Sequence, residues 1–243
     1  MSENLLLAAL PKAERNRLEP FLERVELKFG QIVIEPEQPI EFLYFPYDAI
    51  SSTIQEMDDG SSVETGLMGV EGLVGVQLWL RVNRTPTRTI IQVPGRAHRI
   101  SAEDFRREVT EQPSSELNHL IPKYLHAFLI MTSTSAACNR LHPVDERLCR
   151  WLKLIHNRIR RDKFPMTQEY LAMMLGAQRP TISTAAHILQ KAGLIAYTRG
   201  QMTILDAEGL ADGACECLEI MEAQFDKVFD QPWREFAAQE DKN

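Results

Sequence analysis

Apolar and polar positions follow two different rhythms along this chain. The first twenty-odd residues read as short helices: Leu5, Leu6 and Leu7 cluster, Leu10-Pro11 breaks the run, and apolar spacing resumes from Leu18 to Leu22. From Val25 the period drops to two. The stretch "VELKFGQIVIEPEQPIEFLYFPYDAISSTIQEM" alternates, with β-branched and aromatic residues between turn signals, which predicts strands. Asp58-Asp59-Gly60-Ser61 predicts a hairpin turn between two of them. In "SSVETGLMGVEGLVGVQLWL" the glycines at 66, 69, 72 and 75 predict turns and bulges rather than one regular strand. "TRTIIQVPGRAHRIS" predicts two short strands around Pro94-Gly95. Many short strands at this spacing predict a jelly-roll-like β-roll.

Past residue 100 the rhythm becomes helical. Ser101-Ala102-Glu103-Asp104 starts a short helix, and a long one spans roughly 115–141. Within it Leu117, Ile121, Tyr124, Phe128, Met131, Ser135 and Cys138 fall at alternating steps of four and three. Such an a/d seam predicts a self-pairing helix and a homodimer, although a helix lying on its own domain would show the same pattern. Pro122 is expected in its early turns. His142-Pro143 breaks the helix and predicts a hinge. The next helix, 144–160, is expected to turn Leu148, Trp151, Leu152 and Ile155 inward and Arg147, Arg150, Lys153, Arg158, Arg160 and Arg161 outward.

The stretch "MTQEYLAMMLGAQRPTISTAAHILQKAGLI" (166–195) then carries two short helical patterns. Thr167 is placed as an N-cap. Leu171, Met174 and Leu175 form an apolar stripe, and Gly176 ends it. Pro180 suits the first turn of the second helix, where its missing N–H costs nothing. That helix is expected to bury Ile182, Ala185, Ala186, Ile188 and Leu189. "AYTRGQMTILD" predicts a hairpin turning at Arg199-Gly200. Helix, short turn, helix and two-stranded wing are the order of a winged helix-turn-helix. Its second helix would offer Arg179, Thr181, Ser183 and Thr184 to base edges, with Arg179 able to grip guanine through two bonds. His187 and Arg199, with Arg158, Arg160 and Arg161, are candidates for phosphates.

Charge sharpens this picture. The net charge of the 243 residues is -7, yet residues 139–201 hold eleven Lys/Arg against four Asp/Glu. Residues 202–243 hold three against eleven. Nucleic acid is therefore expected as the partner of the helix-turn-helix segment alone. The last segment, "DAEGLADGACECLEIMEAQFDKVFDQPWREF", predicts an acidic amphipathic helix that packs on the DNA-binding domain or touches a partner such as RNA polymerase. The apolar share of 44% supports real cores, without the run of about eighteen apolar residues that a membrane span needs. The short apolar start is not a secretory signal, so a cytoplasmic protein is expected. Cys138, Cys149, Cys215 and Cys217 are too few and too uneven for a disulfide framework. Cys215 and Cys217 form a C-x-C pair with no His within fifteen residues, so no metal site is expected there.

The order β-roll, long helix, hinge and winged helix resembles the Crp/Fnr superfamily of bacterial regulators. The likeness is most specific in the 166–195 stretch and in "VDERLCRWL" (144–152) before it. It implies a homodimeric transcription factor with a small-molecule or redox sensor domain. It also implies double-stranded DNA carrying two inverted half-sites about one helical turn apart. The implied architecture is α+β: a sensor β-roll in 1–114, a dimerisation helix and hinge in 115–142, and a winged helix-turn-helix with the acidic helix in 143–243.

Departures from the family pattern are informative. Its recognition helix carries Arg, then Glu, then a later Arg; here the matching positions are Arg179, Pro180 and Thr184. A different half-site is expected, with more apolar contact to thymine methyls. The family's cyclic-nucleotide site pairs Gly-Glu with a later Arg-Ser/Thr. Its matches here are Gly75-Val76 and Arg88-Thr89, with Thr132-Ser133 where the long helix would meet a base. Val76 cannot accept a ribose hydroxyl, so cyclic nucleotide is disfavoured and the effector is unknown. Iron–sulfur sensing would need cysteines before Cys138, and haem would have His98 as its only histidine in the β-region. Cys138 on the seam suggests an intersubunit disulfide; a Cys138→Ser chain with unchanged oxidant response would remove that idea. Neither a His cluster on strands nor a phosphate loop nor H-E-x-x-H is present, so an enzyme is not expected. An alternative is a nucleotide-sensing module that acts through protein partners without specific DNA binding.

Overall fold

The computed structural model describes residues 4–198 and 200–235. Two short helices, α1 (Leu5–Ala8) and α2 (Lys12–Leu18), precede seven strands. These are β1 (Glu23–Leu27), β2 (Ile32–Ile34), β3 (Phe42–Pro46), β4 (Ile50–Glu56), β5 (Ser62–Met68), β6 (Arg88–Val93) and β7 (Gly95–Ser101). They form two antiparallel sheets, ordered β1-β7-β3 and β2-β6-β4-β5. The expected turn at Gly60 closes the β4–β5 hairpin, with φ +82° at Gly60 and the Ser61 N–H donating to Asp59 Oδ1 at 2.9 Å. Opposite Gly66 the β4–β5 register slips by one residue, a bulge. Pro94 is a corner between the sheets rather than a hairpin, because β6 and β7 lie in different sheets. A Cβ on Gly95 would sit 2.6 Å from the Asp48–Ala49 backbone, so only glycine passes that corner.

The inner faces of both sheets bury Leu27, Tyr44 and Ala97 against Ile34, Met68 and Ile91. A second, larger core takes Leu43, Phe45 and Ile100 from one sheet and Ile50, Leu67 and Ile90 from the other and runs on into the helices. After α3 (Ala102–Phe105), capped by Ser101, comes α4 (Glu116–Leu141), with Pro122 in its second turn. His142-Pro143 breaks the chain before α5 (Val144–Ile159). Then follow β8 (Lys163–Pro165), α6 (Gln168–Leu175), α7 (Arg179–Lys191), β9 (Ile195–Thr198) and β10 (Gln201–Ile204), the strands ordered β8-β10-β9. The acidic tail is not one helix: α8 (Ala207–Asp212) and α9 (Cys217–Phe229) are parted at residues 213–216, and helix resumes at Trp233. α9 packs along α4, which accounts for Met221, Phe225 and Val228 being buried. Among the described residues, no helix is long and apolar enough to cross a membrane.

The polar face expected on α5 is there only in part: Arg160 is exposed and Lys153 and Arg161 are half-buried. Arg147, Arg150 and Arg158 are buried, at 5%, 4% and 1% exposure. The helix packs against the β-roll, α7, α8 and α9, so these arginines find partners inside the molecule, while Lys153, His156 and Asn157 remain half-buried. Arg158 Nε donates to Glu71 at 2.8 Å with both side chains wholly buried, and its guanidinium lies over the Phe225 and Trp233 rings. Arg158 is thus no phosphate ligand in this arrangement. Arg161 donates to Pro94 O at 2.6 Å, another tie to the β-roll.

Candidate nucleic-acid interface

The helix-turn-helix is built by local chemistry. The Thr167 hydroxyl accepts from the Tyr170 N–H at 3.2 Å and caps α6. Gly176 ends that helix in the left-handed region at φ +54°. Pro180 lies in the first turn of α7. Ile182, Ala185, Ala186 and Leu189 are buried, as expected, and hold α7 against α5 and α6. Ile188 is not; it is 49% exposed, because it lies on the outward stripe of Thr181, Thr184 and Ile188 at steps of three and four. That spacing was readable in the sequence, but an isoleucine amid apolar neighbours reads as core.

The candidate readers divide accordingly. Arg179, Thr181, Thr184 and His187 are exposed on one side of α7. Arg179 is held by Glu169 at 3.1 Å across an exposed ion pair, which a base or phosphate can displace. Thr184 donates to Pro180 O at 3.1 Å, on its own helix. Ser183 faces inward: its hydroxyl donates to Gln168 Oε1 at 2.8 Å and ties α7 to α6. Its hydroxyl is therefore engaged between the two helices. Gln190 Oε1 accepts from the Tyr197 N–H at 2.8 Å and fixes α7 to the wing. Arg199, the expected wing-tip contact, lies outside the described residues.

The six residues expected at an effector site fall into three separate settings. Gly75 is left-handed at φ +91° and lies against the backbone of β3, with Val76 opening a single turn of 3-10 helix after it. Arg88 and Thr89 sit on β6 of the other sheet. Arg88 is paired with Glu56 at 2.6 Å and Glu35 at 3.9 Å, and Thr89 is buried. Thr132 and Ser133 donate back to carbonyls of their own helix. Meanwhile α4 presses rings onto the roll: a Cβ on Gly66 or Gly72 would come within 2.4 Å of Phe128 or Tyr124. The Tyr124 hydroxyl donates to Leu73 O at 3.1 Å. His98 lies edge-on to Tyr47, and burial pushes its pKa down to about 4.

The seam on α4 also needs correction. Leu117, Ile121, Tyr124, Met131 and Cys138 are buried within the single chain, and Phe128 is half-buried against Gly66. The β-roll and α9 cover that face, so with Ser135 it forms the helix's bed on its own domain. The uncovered stripe lies on a different face of the helix: His126, Leu129, Ser133, Ala136 and Arg140, again at steps of three and four. Leu129 and Leu141 are 58% and 72% exposed. Cys138 is wholly buried and faces Cys215 at 3.5 Å, so it cannot reach a second subunit. The C-x-C pair is not isolated either: the fold brings Cys138 and His142 to it. The clue in the sequence was the four-residue step from Cys138 to His142 at a helix end, which puts both on one face.

A three-helix unit, α5, α6 and α7, with a wing and with its third helix exposed along one face, defines a winged helix-turn-helix. Residues 146–212 match the family model of the Crp-like helix-turn-helix domain. Solved structures extend the likeness. The c-di-GMP-responsive global regulator CLP of Xanthomonas campestris is 18% identical, with a TM-score of 0.63 over 80% of this chain and 99% of that one. FixK2 of Bradyrhizobium japonicum is 10% identical, with a TM-score of 0.64 over 80% and 98%. A CRP-family transcriptional regulator of Thermus thermophilus is 15% identical, with a TM-score of 0.62 over 79% and 96%. The chain therefore has the fold of the Crp/Fnr-type transcriptional regulators. No curated protein sequence matches it significantly.

Proposed function

We propose that the protein is a homodimeric, sequence-specific DNA-binding transcriptional regulator of the cytoplasm, whose β-roll responds to an effector other than cyclic AMP. The observation that carries this reading is the free outer face of α7. There Arg179, Thr181, Thr184, His187 and Ile188 stand on a helix locked from behind by Ser183, Gln190 and a buried apolar stripe. In this reading Arg179 binds guanine, and Ile188 with the threonine methyls meets thymine methyls. Two copies pair through Leu129, Ser133, Ala136 and Arg140 and present their α7 helices to inverted half-sites. Sensor roll (1–114), pairing helix and hinge (115–142) and DNA-binding part (143–243) divide the labour.

Cyclic AMP is disfavoured because Val76 offers no acceptor, Arg88 is already engaged by two carboxylates, and Phe128 and Tyr124 press on the roll. The Xanthomonas relative's c-di-GMP makes that dinucleotide a sensible second probe. An effector would act only through its different affinity for two arrangements of the β-roll and the DNA-binding part.

The test is fluorescence anisotropy of the full chain on DNA from upstream of its own gene, across a salt series. It is run without nucleotide, with cyclic AMP and with c-di-GMP. Specific binding whose logarithm falls linearly with log salt supports the reading, since phosphate contacts release counterions. Binding only with cyclic AMP would overturn the effector assignment. Absence of specific binding in all three arms would favour a module acting through protein partners.

A further inference from the structure

Three thiols and an imidazole converge where α4, the hinge and the start of α9 meet. Cys138 lies in the last turn of α4, and His142 is that helix's C-cap. Cys215 and Cys217 bracket the first residue before α9. The four donor atoms all lie within 4.8 Å of one another. Cys138 Sγ is 3.5 Å from Cys215 Sγ, and Cys217 Sγ is 3.6 Å from His142 Nδ1. In a tetrahedral zinc site with Zn–S of about 2.3 Å, neighbouring sulfurs stand about 3.8 Å apart. The 3.5 Å sulfur pair lies slightly inside that edge, and no pair of the four donors is more than 4.8 Å apart.

We propose that Cys138, His142, Cys215 and Cys217 bind one zinc-type divalent ion in a closed tetrahedral site. The surroundings fit such a group. All three cysteines are buried, at 0%, 6% and 4% exposure, which spares the thiolates from oxidants and excludes water from the ion. His142 Nε2 faces Glu216 Oε2 at 3.3 Å, leaving Nδ1 to the sulfurs, the carboxylate–histidine–metal arrangement of zinc proteins. Three thiolates, a neutral imidazole and a divalent ion carry net charge -1. Arg150 and Arg147 are buried beside them, and their charges act on the sulfurs of Cys138 and Cys215. Arg150 Nη1 also lies 3.4 Å from the soft Met221 sulfur. Soft thiolates select an ion of the zinc type over magnesium or calcium.

On binding, each thiol gives its proton to solvent and the sulfur lone pair to the ion, with no change in oxidation state. Four protein ligands leave no open position, so the ion is a clip and not a catalyst. It joins α4 to α9 across the hinge from which the DNA-binding part departs. Nothing in this depends on the identity of the operator or effector.

The test uses the full chain, reduced and without added histidines. Cobalt(II) should give the visible bands of tetrahedral cobalt, with thiolate-to-metal charge transfer, saturating at one ion per chain. A mercurial titration should release zinc from the chain as purified, a readout that needs no variant. Cys217→Ser and His142→Ala should lose or blue-shift the cobalt bands, while Cys149→Ser keeps them. A folded, reduced chain without cobalt bands would overturn the site. So would bands indifferent to Cys217→Ser, an iron–sulfur spectrum, or a Cys138–Cys215 disulfide in place of metal uptake.

Discussion

Glu71 and Arg158 form the pair on which the joint between β-roll and helices rests. With both side chains wholly buried, removing one leaves the other without its direct partner. Glu71→Ala should therefore cost about 3–5 kcal/mol in urea unfolding, although a well-packed apolar pair in place of both would cost far less. Glu64 sits at the same joint and accepts from Ser52 and Trp151. Burial pushes its carboxyl from 4.5 up to about 7, against the pull of those two bonds and of Arg150 and Arg158. Between those values the folded chain keeps a proton that the unfolded chain has released, so this group's contribution to stability falls as pH rises through the window. Glu64→Gln should flatten the fall in urea midpoint between about pH 5 and pH 8; an unchanged slope would remove Glu64 as its source.

Helices here are positioned by small residues as much as by large ones. Tyr124 can lie on the roll only because Gly72 has no Cβ, and the ring is pinned by its bond to Leu73 O. Gly72→Ala should overpack that contact and cost about 1–3 kcal/mol, read as a lower urea midpoint with unchanged secondary structure. On α7, substitution should separate reading from positioning. Arg179→Ala should lose about 1–3 kcal/mol of discrimination against a changed guanine while the domain stays as stable. Ser183→Ala should loosen α7 on α6 and weaken all DNA sequences alike. Competition titrations with wild-type and altered half-sites distinguish the two.

For the molecule as a whole, the question is which face of α4 remains for a second copy. The bed face is covered by the chain's own β-roll and α9, so Ile121→Lys should unfold the protein. Leu129→Lys, on the uncovered stripe, should yield a folded monomer by analytical ultracentrifugation and weaken binding to a two-half-site operator. A folded dimer carrying Leu129→Lys would send the pairing surface elsewhere.

Local chemistry determined much of this from the sequence. The caps at Thr167 and Gly176, the Gly60 turn, the break at His142-Pro143 and the change from period two to helical spacing are properties of near neighbours. So the winged helix-turn-helix and the roll were both legible. What lay beyond reach depended on which surface each element met. An a/d spacing on α4 says that one face is buried but not by what, and the four-three step repeats on the adjacent stripe. Arginines on α5 read as solvated because charge is costly to bury; only the fold supplies Glu71 to Arg158. The same limit hid the Cys138, His142, Cys215 and Cys217 cluster. Its two halves are more than seventy residues apart in the chain, and packing α9 against the end of α4 is what makes them one site.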